Sequence, residues 1–225
     1  LDTSLSSNPD KFNIYLKLLS NILDKNEDQI KKFAVLIFDI DTHWWRKKFI
    51  ANTRENRRLF LQYANKLVLE GATDLDKALA QALSPSWHKS SKNWSLFLLS
   101  DGAATWGESS VNLMTSRFSK TSDNPLFAYV TGLGGTEKTV LNKFANLSGG
   151  AVFSVTSEDQ LAKVAKAHRA VPWKIERLTA DGGQDILLAG RPTYYYPGQV
   201  LSLTGRGRLT KGSKIRILLT QGNRR

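Results

Sequence analysis

The chain contains no cysteine in its 225 residues. That excludes a disulfide scaffold, cysteine-ligated zinc and thiol chemistry, and it leaves the redox compartment open. Histidine is scarce too. His43, His88 and His168 stand too far apart to give metal-ligand spacing and read as ordinary surface or partly packed side chains. No stretch approaches the roughly 18 uncharged apolar residues of a membrane span. There is no G-x-S-x-G elbow to mark a nucleophile. The run GLGGTEKT lacks both the dinucleotide-binding glycine pattern and the Gly-Lys-Ser/Thr of a phosphate loop, so it reads as a turn. No internal repeat or low-complexity tract is present. With no catalytic constellation to name, the expectation is a protein that is not an enzyme.

What is there suffices for a core. Hydrophobic residues make up 41% of the chain, six of them Trp, and 23% is charged, an ordinary globular balance. The net charge of +12 is unevenly spread: from Arg169 onward, eleven Lys/Arg face three Asp/Glu. That concentration reads first as a solvated basic surface. It leaves room for an acidic partner of the C-terminal segment, with nucleic acid the less favoured partner.

Taken in order, Asn8 and Pro9 form a helix start, and apolar residues from Phe12 to Leu23 recur at helical spacing to about Asp24. FAVLIFDI (33–40) reads as a strand covered on both faces, and WWRKKFIAN (44–52) as a second one. Thr53 caps a helix that runs toward Leu67. A short helix follows Gly71-Ala72-Thr73, over 74–83, and then the basic loop SPSWHKSSKN. WSLFLLS (94–100) is a buried strand stopped by Asp101-Gly102. A helix over 110–118, the strand LFAYVT, a helix over 136–147, the strand AVFSV and a closing helix over 157–168 complete the series. Strands alternating with helices at this interval predict an α/β fold with a doubly wound, mostly parallel sheet. From Pro172 the pattern changes to strand-like runs broken by Gly and Pro, which predicts an antiparallel β segment over 172–225.

The first six residues, LDTSLS, place Asp2, Ser4 and Ser6 at alternate positions. These are hard oxygen donors of the kind Mg²⁺ or Mn²⁺ accepts. Ligand sites of doubly wound sheets form beyond the carboxyl ends of the strands. Leu1 and Asp2 are expected to end a central strand whose body lies upstream, Asp101 ends another, and Thr73 precedes a helix. All can meet at one sheet edge. Asp39 and Asp41 read as strand-end acids facing water rather than as a cation site. Trp44-Trp45, followed by Arg46-Lys47-Lys48, reads as packing, with an exposed binding ridge as the alternative.

Asp2-x-Ser4-x-Ser6, GATDL with Thr73 and FLLSDG with Asp101 resemble the metal-ion-dependent adhesion site of von Willebrand factor A domains. FAVLIFDI, FAYVTGLGG and LNKFANLSGGAVFSV resemble that family's other strands and turns. The resemblance covers about residues 1–168. It implies a Rossmann-like fold in which Ser4, Ser6 and Thr73 supply hydroxyl oxygens to Mg²⁺ (or Mn²⁺), with Asp2 and Asp101 bound directly or through water. It further implies a protein partner whose Asp or Glu completes the metal's shell, in an exported or cell-surface setting. The family has Gly between the two serines, where this chain has Leu5, which narrows the backbone choices of the loop. The β-rich sequel with its PGQVLSLTGR run is similar to the inter-alpha-trypsin inhibitor heavy chains and their bacterial relatives. The other reading is a basic nucleic-acid-binding or scaffold protein whose site holds no metal.

Overall fold

A computed structural model describes the chain apart from residues 88–93, 122, 123, 132, 156, 157, 190, 193, 198, 200, 209 and 222–225. His88 and most of the basic loop after Trp87 therefore lie outside the described residues, as does the start of the expected closing helix.

The first helix, α1 (Pro9–Lys25), begins as its sequence predicts: Pro9 takes the first helical position and the Asn8 side chain accepts a hydrogen bond from the Lys11 N–H. Phe12, Tyr15, Leu16, Leu18, Ile22 and Leu23 form its buried stripe, each stabilising the fold by about 1.5–3 kcal/mol. The run 33–40 does not make one strand. It divides into β1 (Lys32–Phe33) and β2 (Leu36–Phe38), and Asp39 turns the chain back, its Oδ1 accepting the Asp41 N–H. The run 44–52 divides likewise. β3 (Thr42–Trp44) pairs antiparallel with β2, and β4 (Ile50–Ala51) pairs antiparallel with β1. The basic residues between them are too polar to enter a covered sheet.

Thr53 caps α2 (Arg54–Ala64), which stops short of Leu67. Asp74 caps α3 (Leu75–Leu83), its carboxylate accepting the Lys77 N–H. β5 (Leu96–Leu99), α4 (Val111–Thr121), β6 (Leu126–Thr131), α5 (Lys138–Ser148) and β7 (Ala151–Val155) follow in the expected alternation. β5, β6 and β7 form a parallel sheet in that order. The expected closing helix is broken instead: a 3₁₀ turn at 158–160, one α-helical turn, α6 (Leu161–Val164), and a second 3₁₀ turn at 167–169.

Residues 1–3 lie in the gap between β2 and β5. The Leu1 nitrogen donates to Leu36 O, Phe38 N–H to Leu1 O and Thr3 N–H to Phe38 O, while Asp2 N–H donates to Leu99 O on the other side. The bridge from Asp2 to Phe38 is parallel. The order across the molecule is thus β3, β2, residues 1–3, β5, β6, β7, with Asp2 in the middle. Alternate residues of each strand serve two cores. Leu99, Phe127, Tyr129 and Phe153 pack with α1, α2 and α6, whereas Leu98, Ala128, Val130 and Val152 pack with α3, α4 and α5. Helices on both faces make the sheet doubly wound, a Rossmann-like arrangement.

The C-terminal segment is antiparallel, as expected. It includes a strand that the sequence reading passed over, β8 (Trp173–Ala180), whose charged residues face outward. β9 (Gly183–Leu188) pairs with β11 (Leu203–Gly207), and β8 lies between β10 (Tyr194–Tyr195) and β12 (Ile215–Thr220). Tyr196 fastens this segment to the α/β body. Its ring meets Phe127 and Phe153 edge-on, and its hydroxyl donates to Gly149 O at 2.9 Å.

Candidate metal centre

The five oxygen-bearing residues expected to meet come from three loops at the carboxyl edge of the sheet. Asp2 is fully buried and held on both oxygens. Oδ1 accepts the Ser4 N–H at 2.9 Å and Oδ2 accepts the Ser100 hydroxyl at 2.6 Å. Burial raises its carboxyl above the usual range, and the nearby Asp101 charge adds to that, while the bonds from Ser100 and Ser4 pull it back. Beyond Ser4 the chain makes a 3₁₀ turn (Leu5–Ser7), which brings the Ser4 and Ser6 hydroxyls to 3.0 Å from each other.

Leu5 does not strain this turn. It is absent from the non-glycine residues with positive φ and its side chain points to solvent, 69% exposed, so the backbone here has no need of the family's glycine. Its N–H donates to Gly71 O, and Glu70 N–H donates to Thr3 O. Those two bonds seat the 70–73 loop against the first one. Thr73 is completely buried, and its backbone is fixed by Thr105, whose hydroxyl accepts the Thr73 N–H at 2.8 Å. The Thr73 hydroxyl has no hydrogen-bond partner among the described residues. A buried hydroxyl left so costs about 1–3 kcal/mol, which fits a donor kept for a ligand.

Asp101 follows β5. Its Oδ1 accepts the Ala103 N–H at 3.1 Å and its carbonyl accepts the Glu137 N–H, joining it to the start of α5. Asp101 Oδ2 meets Lys11, whose ammonium lies 3.2 Å away and also donates to Ser6 O at 3.1 Å. Lys11 is 4% exposed. Neither Lys11 nor Ser100 was picked out from the sequence. Lys11 had a signal: with Tyr15, Leu18 and Ile22 it falls on the buried stripe of α1, where a lysine requires an anion. Ser100 had none, because a serine ending a buried strand is unremarkable until its partner is known.

The other candidates lie apart from this edge. Asp41 pairs with Lys77 at 2.7 Å on the surface, and Asp39 O caps the approach to α3 through Asp74 N–H. His43 hydrogen-bonds the Tyr63 hydroxyl, and His168 stacks edge-on against Phe97. Trp45 packs on Phe33 and Phe60 with the Arg46 guanidinium 4.8 Å from its ring, and Trp44 meets Trp87. Packing, not a ridge, occupies both tryptophans. A cavity of about 950 Å³ between β2, β5 and α3 is lined by apolar groups such as Leu1, Leu36, Trp87 and Leu98, and by none of the five site residues. Among the described residues no group of three or more His, Cys, Asp or Glu could hold a metal. The donor set here is of another kind, two carboxylates with three hydroxyls, which suits a hard divalent cation with water in its shell.

A doubly wound sheet whose central strand ends in Asp-x-Ser-x-Ser, flanked by a threonine loop and an aspartate loop, defines a von Willebrand factor A type of domain. A family model described as von Willebrand factor type A domain matches residues 1–153, and the chain belongs to that family. No curated protein matches. Among solved structures, a von Willebrand factor type A protein from Catenulispora acidiphila is similar at 17% identity and a TM-score of 0.58, over 92% of this chain and 53% of that one. BatB from Bacteroides thetaiotaomicron is similar at 13% and 0.53, over 73% and 92%. Proximal thread matrix protein 1 from the mussel byssus, in a form with a zinc-occupied MIDAS motif, is similar at 15% and 0.53, over 81% and 48%. The chain thus spans about half the length of the first and third of these relatives. At such identities the likeness is one of fold.

Proposed function

We propose that this protein is a non-enzymatic, divalent-cation-dependent protein-binding module. Domains of this family commonly mediate protein interactions. In this reading Asp2, Ser4, Ser6, Thr73 and Asp101 hold Mg²⁺ or Mn²⁺, and an Asp or Glu of the partner joins the set. When bound, the cation supplies a Lewis-acid position that an outside carboxylate can fill. Asp2 and Asp101 provide the negative charge. The Ser4 N–H and Ser100 hydroxyl aim Asp2, and the 3₁₀ turn presents Ser6 beside Ser4. Leu5, Trp106 and Leu133 are exposed on the loops of this edge and give a partner apolar contact around the charged centre.

The observation that carries the reading is the fully buried Thr73 hydroxyl, unpartnered among the described residues, in a loop seated on the Asp-x-Ser-x-Ser turn. The zinc-occupied motif of the mussel protein supports a divalent cation in this fold. The likeness of the C-terminal strands to inter-alpha-trypsin inhibitor heavy chains belongs to the same proposal. Calorimetric titration with Mg²⁺ and Mn²⁺ tests it. Saturable binding that is lost in Asp101→Ala and weakened in Thr73→Ala is expected, and no difference between these variants and the parent sinks it.

One observation favours the second reading, a metal-free scaffold: the Lys11 ammonium already stands against Asp101. The nucleic-acid version draws less support, since Arg206 and Arg216 of the basic segment pair with Asp185 and Asp181. It predicts binding that falls steeply with salt and ignores chelators.

A further inference from the structure

We infer that Lys11 is a tethered cation that competes with the divalent metal for Asp101, so that loading the site requires its ammonium to swing away. This rests on the metal-binding reading above and adds a residue which that reading does not contain.

The geometry is specific. The Lys11 ammonium lies 3.2 Å from Asp101 Oδ2 and 3.1 Å from Ser6 O, and Ser6 Oγ lies 3.0 Å from Ser4 Oγ. One positive charge therefore bridges two of the three segments that supply the proposed ligands. The helix cap holds it there: the Asn8 side chain takes the Lys11 N–H, which fixes the residue in the first turn of α1 with its stem among buried groups. Gly135 closes the other side, where a Cβ would stand 3.6 Å from the ammonium. A buried carboxylate needs a counter-charge, and Lys11 supplies one that cannot diffuse away.

A metal that uses Asp101 must either share it with a neighbouring ammonium or displace that ammonium. Sharing sets two cations against each other at short range in a poorly screened site. Displacement breaks two hydrogen bonds of Lys11 but leaves it a four-carbon stem long enough to carry the head toward solvent. Displacement avoids that repulsion, and the lysine then lowers apparent affinity by holding most molecules in the metal-excluding arrangement. It also stabilises the metal-free domain by compensating the buried Asp101 charge. An ion pair that merely staples α1 to β5 would stabilise the protein and leave metal affinity unaffected or improved by its presence.

The test compares the full chain with Lys11→Met and Lys11→Gln, which keep most of the side chain's length and remove its charge, and with Lys11→Arg, which keeps charge. Mn²⁺ affinity is measured by calorimetry and thermal unfolding is followed with and without Mn²⁺. The expected result is Mn²⁺ binding at least about tenfold tighter in Lys11→Met and Lys11→Gln, as for a site whose competent form rises from a tenth or less of the population. Lys11→Arg should bind no more tightly than the parent. The neutral variants should melt lower without metal and gain more from it. Equal or weaker affinity in the neutral variants overturns the role of Lys11 while the metal-binding reading stands. No binding by parent or variants overturns both. Should the neutral variants not fold, acylation of the parent chain read by mass spectrometry decides. Lys11 modified faster with saturating Mn²⁺ supports displacement, and unchanged protection refutes it.

Discussion

Ser100 donates its hydroxyl to Asp2 Oδ2 at 2.6 Å while accepting the Gly102 N–H at 3.0 Å. One serine thus ties the end of the central strand to the turn that carries Asp101. The side chain that holds the Asp2 carboxylate also fixes the backbone just past Asp101, and it is completely buried.

Replacing Ser100 with Ala leaves a buried carboxylate one hydrogen bond short. A loss of about 1.5–3 kcal/mol is expected, the range for hydrogen bonds to charged groups, measured as a lower urea midpoint at unchanged slope. Metal affinity should fall as well, because Asp2 is then held through Oδ1 alone. A variant as stable as the parent would show that the short contact contributes nothing.

Gly102 has φ +79°, and a Cβ there would meet Leu141 Cγ at 2.8 Å and Glu137 O at 3.2 Å. Gly102→Ala combines a disfavoured backbone with overpacking against α5 and should cost about 2–4 kcal/mol. Chemical denaturation reads this directly. Gly149→Ala, with φ +74° but nothing within 4 Å, should cost less.

His168 is held to about 4, below its ordinary value of 6.5, chiefly by burial and then by the Arg169 charge. Its folded state keeps the ring neutral while the unfolded chain takes up a proton, so stability rises with pH across that interval and is lost as pH falls from about 6.5 toward 4. Unfolding between pH 4 and 7 should bind up to one proton in the parent, and measurably less in His168→Leu. Identical pH slopes in the two proteins would rule the histidine out as the cause.

Tyr196→Phe removes the bond to Gly149 O and should cost about 0.5–1.5 kcal/mol. Tyr196→Ala also empties the space between Phe127 and Phe153 and should cost about 3–5 kcal/mol. Hydrogen exchange should then speed up in β8 and β10 before it does in β6. Uniform acceleration across the chain would instead mean that the C-terminal strands unfold only with the whole.

Where residues interact with near neighbours, the sequence was readable. The Asn8-Pro9 start of α1, the Thr53 cap of α2 and the limits of β6 and β7 follow from propensity and apolar spacing alone. The misreadings came where a sequence run met a distant constraint. Two apparent strands each divided because the run 33–40 pairs with two separate pieces of chain, β3 and β4, that the polar residues 46–48 hold apart, and the closing helix broke into single turns. β8 was passed over because its alternation is of charge against partly buried residues, and only pairing with β12 makes that a strand.

The same division holds at the site. The alternation of strands and helices by itself determined a doubly wound α/β fold, and the resemblance to von Willebrand factor A domains named Asp2, Ser4, Ser6, Thr73 and Asp101 as residues to bring together. Only the tertiary structure decided their surroundings. It showed that Leu5 needs no special backbone, that the Thr73 hydroxyl is unpaired among the described residues, and that Lys11, ninety positions from Asp101, delivers a positive charge to it. The reason is physical: spacing reports which side chains share a face, whereas charge compensation in a buried site depends on which faces the fold then presses together.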